Sequence, residues 1–149
     1  MPEIETKLKI LIDILSHKKR VLLQILNITE NQKCVLENAD SNNDISTFLD
    51  ELNVQKQTLI DEIIKNDNMF QNTFDSLGQN FENYASCYFE LIMKLQEHIK
   101  EVCDIDIKIR IIEEKNTSLF DKPRKSKKID IPKAPVSYVL EKYKQNNKK

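Results

Sequence analysis

A single glycine in 149 residues excludes a good deal at once. Phosphate-cradling loops and dinucleotide-binding turns need several glycines where the backbone approaches the ligand, and this chain cannot build one. Tryptophan is absent, and proline is confined to Pro2 and to Pro123, Pro132 and Pro135. Nothing therefore interrupts a helix across most of the length. The three cysteines, Cys34, Cys87 and Cys103, are odd in number and unclustered, and neither a disulfide framework nor a zinc site follows from that spacing. Their expected role is that of small buried or half-buried hydrophobes in a reducing compartment. No apolar run approaches the roughly 20 residues needed to cross a bilayer. Charge arrives at once at the N-terminus, with Glu3, Glu5, Lys7 and Lys9, which argues against a signal peptide. These absences predict a cytoplasmic protein with no transmembrane segment.

The sequence does contain long helical periodicity. From Phe81 to Leu119 one heptad position reads Phe81, Tyr88, Leu95, Val102, Ile109 and Asn116. Its partner position reads Tyr84, Leu91, His98, Ile105, Ile112 and Leu119. A seam of that length predicts a long helix lying along neighbouring helices. A competing signal sits inside it: Ile105, Ile107, Ile109 and Ile111 alternate with Asp106, Lys108 and Arg110, as in a half-buried strand. The alternation is short and the heptad long, so helix is the reading.

Helix 1 is expected over 3–37, with Pro2 and the acids Glu3 and Glu5 suited to its N-terminal end. Four contiguous apolar rows cover about half its circumference, a stripe wide enough for two neighbours, which makes it the central helix. Asn38 to Asn43 is a polar break, with Asn42, Asn43 or Asp44 available as a cap. Helix 2 is expected over 45–77, its seam punctuated by Gln55, Lys56, Asn66 and Asp67, polar positions suited to fixing register. Gly78 fits the left-handed residue that ends a helix, with Asn80 as the next cap. The fold class is thus all-α: a long antiparallel three-helix bundle over 1–120, followed by a basic tail over 121–149. In the tail ten Lys/Arg against three Asp/Glu give +7, and thirteen against twenty-one leave −8 on residues 1–120. Within the tail, Pro135 opens an island over 135–143 whose Val136, Val139, Leu140 and Tyr143 share one face of a short amphipathic helix.

No catalytic constellation emerges, and no cofactor or metal is expected. His17 and His98 lie on different helices without a nucleophile, and His98 reads as a hydrogen-bonded structural histidine. The carboxylates fall where a solvated helix face puts them. The unexplained feature is a ridge of Ile99, Cys103, Ile107 and Ile111, stepping by fours outside the seam. Two readings stand: the ridge packs on helix 1 or the tail island, or it is a groove edge that receives another protein's amphipathic helix. The tail's lysines invite nucleic acid or a membrane surface. Nucleic acid is disfavoured, because the tail lacks interleaved aromatics and the body is acidic.

The run Leu22-Leu23-Gln24-Ile25-Leu26-Asn27-Ile28-Thr29-Glu30-Asn31-Gln32 is similar to the LL-x-LT-x-x-Q stretch of FlgN-type flagellar export chaperones. Asp50-Glu51-Leu52-Asn53-Val54-Gln55-Lys56-Gln57, with its spacing to Leu59-Ile60-Asp61, resembles their L-x-x-K-Q-x-L-I-D segment, and Asp67, Phe70 and Phe74 follow in order. The resemblance spans about Leu8 to Phe120. It implies a cytoplasmic chaperone, without ATPase activity, that holds hook–filament junction proteins for the flagellar type III export apparatus. It further implies docking on the export gate through a C-terminal tyrosine-bearing region, for which Tyr138 and Tyr143 are the candidates. The alternatives are a structural coiled-coil adaptor that oligomerises through the helix 3 seam, and a basic-tail binder of nucleic acid or membrane.

Overall fold

The computed structural model describes residues 2–38, 45–78 and 85–121, and every structural statement below concerns those residues. Three long helices run over them: α1 (Pro2–Glu37), α2 (Ile45–Asp75) and α3 (Phe89–Phe120), the last entered through a 3-10 turn at Ala85–Tyr88. Ile105–Ile111 is helical throughout, with no strand. The predicted caps at 42–44 and 80, the seam residues Phe81 and Tyr84, and the tail island with Val136, Tyr138, Val139, Leu140 and Tyr143 lie outside the described residues.

Two boundaries differ from the sequence reading. The α-helical part of α3 begins at Phe89, not at 81. Tyr88 holds the N-cap position with φ −120 and ψ 30 and makes no side-chain capping hydrogen bond. The heptad letters continue upstream, but a tight 3-10 turn, not an α-helix, occupies Ala85–Tyr88. At the other boundary α2 ends at Asp75, and its last turn tightens. Leu77 N–H reaches the Phe74 carbonyl at 3.1 Å and Gly78 N–H the Asp75 carbonyl at 3.3 Å. Gly78 itself has φ 80, the left-handed conformation a side chain would resist.

α1 is the central element. It packs along both other helices, whereas α2 and α3 scarcely approach each other along their backbones. Polar pairs fix the directions. Lys7 reaches the Ser76 carbonyl, Lys18 meets Asp67 and Gln32 meets Asn53, so α2 runs antiparallel to α1. Lys19 meets Glu101 and Asn116 reaches the Thr29 carbonyl, so α3 runs parallel to α1. Leu8, Leu11, Leu15, Leu22 and Ile25 of α1 are nearly solvent-free, and Ile60, Ile63, Val102 and Ile109 close over them from the two sides. The broad stripe of α1 buries against two partners because its apolar rows point two ways.

Polar side chains also enter this interior. Lys18 and Lys56 are each only 1% exposed. Lys18 Nζ donates to Asp67 Oδ1 at 2.7 Å. Burial draws its pKa down to about 8, against the opposing pull of Asp67 and, more weakly, Asp106. The same burial raises Asp67 above its ordinary value. Lys56 of α2 pairs with Glu113 of α3 across the interior, and burial pushes its ammonium down as well. Thr29 Oγ1 donates to the Ile25 carbonyl at 2.7 Å and lies 3.3 Å from Glu113 Oε1. Asn66 donates to the Ile14 carbonyl at 3.0 Å. Of the four polar residues expected along the α2 seam, Lys56 and Asn66 are buried, Asp67 is half-buried and Gln55 faces solvent.

Breaking one buried pair strands its partner, while replacing both removes the desolvation cost with the charge. Glu113→Ala should therefore destabilise the bundle by about 3 kcal/mol or more in urea unfolding. The double replacement Lys56→Met with Glu113→Leu should return to within about 1 kcal/mol of the parent or exceed it. Lys18 carries a pH signature. Its folded pKa of about 8 lies below the unfolded 10.5, so in that window the unfolded chain binds more protons. Stability from this group is flat below about 8 and rises between about 8 and 10.5. Unfolding free energies compared across that window should climb more steeply for the parent than for Lys18→Met.

Candidate protein-binding surface

α3 presents opposite faces to protein and to solvent. Leu95, Val102, Ile105 and Ile109 are buried against α1 and its neighbours. Four residues of helix advance slightly more than one turn, so a ridge stepping by fours drifts by about 40° at each step. The ridge of Ile99, Cys103, Ile107 and Ile111 starts beside the packed seam and turns away from it. The exposures follow that drift: 37% for Ile99, 46% for Ile107 and 48% for Ile111. Cys103 between them is exposed and free. Among the described residues the ridge is thus open to solvent, and the packing of this ridge on helix 1 does not occur. The strand-like alternation has the same origin, since positions two apart on a helix point about 200° apart. Ile105 and Ile109 go inward and Ile107 and Ile111 outward.

The ridge is bordered by charges of both signs. Lys100, Asp104, Lys108 and Glu114 are all exposed. Away from the ridge, Glu101 accepts from Lys19 Nζ at 2.5 Å, and that hydrogen bond holds the Glu101 carboxyl below its ordinary pKa. Such a strip can bury apolar side chains and satisfy polar ones at its edges, as a partner helix requires. Further exposed apolar side chains lie on the same helix, Phe89 at 64% and Met93 at 46%.

The cysteines correct the expectation of burial. Cys34, Cys87 and Cys103 are all exposed, because each falls on the outward side of its helix. His98 is half-buried, yet its Nδ1 finds no hydrogen-bond partner among the described residues, so the hydrogen-bonded role expected of it is not seen at that atom. His17 approaches Glu62 at 3.6 Å in an exposed pair. Sequence reasoning missed the buried charges Lys18, Asp106 and Glu113. The one available signal was placement: Lys18 interrupts the apolar rows of α1 that hold Leu11, Leu15, Leu22 and Ile25. No helix among the described residues is long and apolar enough to cross a membrane. No family model, no curated protein and no solved structure matches this chain.

The two faces of α3 should respond oppositely to substitution. Ile107→Gln with Ile111→Gln should shift unfolding free energy by no more than about 1 kcal/mol, as for solvated positions. Ile109→Ala, buried between them, should cost about 2–5 kcal/mol in the same urea titration.

Proposed function

We propose that this chain is a non-enzymatic export chaperone of the FlgN type, holding hook–filament junction proteins in the cytoplasm for the flagellar type III export apparatus. The observation that carries the reading is the solvent-open ridge of Ile99, Cys103, Ile107 and Ile111 on a helix whose other face is fully engaged. An amphipathic client helix laid on this ridge buries apolar surface that water otherwise covers, and the mixed border charges suit a client of mixed charge. The sequence resemblance supplies the client class. The same reading gives Val136, Tyr138, Val139, Leu140 and Tyr143 of the tail to the export gate, leaving client capture to the bundle.

The coiled-coil adaptor is a weaker reading, because the seam it would share between chains is spent inside this one. Leu95, Val102, Ile105 and Ile109 pack in the intramolecular core. Binding to nucleic acid or a membrane rests on tail residues alone.

The test is calorimetric titration of the purified chain with the C-terminal segment of a hook–filament junction protein. Saturable binding is expected, and Ile107→Gln with Ile111→Gln should weaken it tenfold or more, given about 1.5–3 kcal/mol per buried branched side chain. Truncation after residue 120 should spare this binding and stop client export in motile cells. A chain that binds no such segment, or binds it equally well with both isoleucines replaced, would refute the assignment.

A further inference from the structure

The outer face of α3 carries a second regularity. Phe89 and Ile107 are separated by 18 residues, as are Met93 and Ile111, and 18 residues make five complete helical turns. The four side chains therefore share one face, in two pairs about 27 Å apart. All four are exposed, at 64%, 46%, 46% and 48% in chain order. The pattern is also symmetric. Phe89 and Ile111 are equidistant from Lys100, and so are Met93 and Ile107. Apolar ends flank a polar centre, and reversing the helix direction reproduces the same arrangement.

We propose that this face is a homodimer interface in which α3 packs antiparallel on α3 of a second copy, with the twofold axis at Lys100. A twofold contact is made by one patch with itself, so the patch must be self-complementary under reversal. Here reversal sets Phe89 against the partner copy's Ile111, and Met93 against the partner copy's Ile107, at both ends. The centre is matched too. The two Lys100 side chains meet at the axis, and Glu97 and Asp104 lie one helical turn to either side of each. These exposed carboxylates offset the paired ammonium groups. Burying the exposed parts of the four apolar side chains on both copies, together with the polar residues between them, removes on the order of 1,000 Å2 from water, the low end for a specific contact. The dimer is accordingly weak and dissociates at micromolar concentration. Ile107 and Ile111 belong to both this interface and the client ridge, so a client and a second copy compete for them. Phe89 and Met93 serve only the dimer.

Sedimentation velocity of the full chain over a micromolar to submillimolar series should show a reversible monomer–dimer equilibrium. Phe89→Gln with Met93→Gln should raise its dissociation constant at least tenfold with the circular dichroism spectrum unchanged. The axis position is tested separately by Lys100→Cys in a chain whose three native cysteines are replaced by serine. Mild oxidation should link two copies through residue 100, because facing positions at a twofold axis bring the two sulfurs within bonding reach. The same chain carrying Met93→Cys in place of Lys100→Cys should link at least tenfold more slowly. A parent that stays monomeric throughout the series would overturn the proposal. So would a dimer indifferent to the Phe89 and Met93 replacements, or faster linkage through residue 93 than through residue 100. Client titration of the Phe89 and Met93 variant separates this proposal from the chaperone reading, since client binding should persist there.

Discussion

α1 has to satisfy two helices at once, and the architecture depends on how it does so. A helix packed against one neighbour needs a narrow apolar stripe; one between two neighbours needs about half its circumference. Leu8, Leu11, Leu15, Leu22 and Ile25 form the middle of that surface, while Ile14, Val21 and Ile28 extend it to one edge, and all are buried. The backbones of α2 and α3 both pack along α1 and scarcely approach each other. Loss of α1 would leave two amphipathic helices with nothing to cover their apolar faces. The outer surfaces of α2 and α3 have no such obligation.

Apolar burial alone does not fix the register of such a bundle, because Leu and Ile rows tolerate a slip of one turn. The buried polar groups are less tolerant. Lys18 must find Asp67, Lys56 must find Glu113, and Asn66 must find the Ile14 carbonyl. A one-turn slip of about 5.4 Å would separate each donor from its acceptor inside a poorly solvated interior. Burial raises Asp67 and lowers Lys18 and Lys56, so desolvation outweighs attraction for these three groups. The pairs are therefore better understood as determinants of alignment than as sources of stability. Lys56 and Glu113 have a particular place in that scheme, because they tie α2 to α3 where the two backbones scarcely meet.

The helices were legible in the sequence because their information is local. Apolar rows at helical spacing, a lone glycine and a polar break suffice for the three helices and the central place of α1. Partner choice is not local. Lys18 reads as a surface lysine until Asp67 and Asp106 are brought beside it, and Glu113 as a solvated acid until Lys56 is. The start of α3 was misjudged for a related reason: a heptad records which residues would face inward in a helix, and does not supply the missing cap at Tyr88. The cysteines were misjudged because composition predicts burial by residue type, whereas exposure follows angular position on the helix. Whether the ridge was core or surface turned on the same angle. Its four-residue spacing was visible, but its direction became definite only once Ile105 and Ile109 were placed against α1.

That angle also separates what this protein needs for folding from what it has left for partners. Ile105 and Ile109 are as apolar as Ile107 and Ile111, and they stand two residues apart on the same helix. The inward pair is nearly solvent-free and belongs to the core; the outward pair is about half exposed and is not needed there. An exposed β-branched residue is a poorer helix former than lysine or glutamate, so placing isoleucine outside loses a little stability and solubility without a folding return. Phe89 and Met93 repeat that choice five turns away on the same face. One such residue is ordinary for a protein surface. Four on one helical face, in a pattern unchanged by reversal, are the basis of the proposed contact with a second copy of α3.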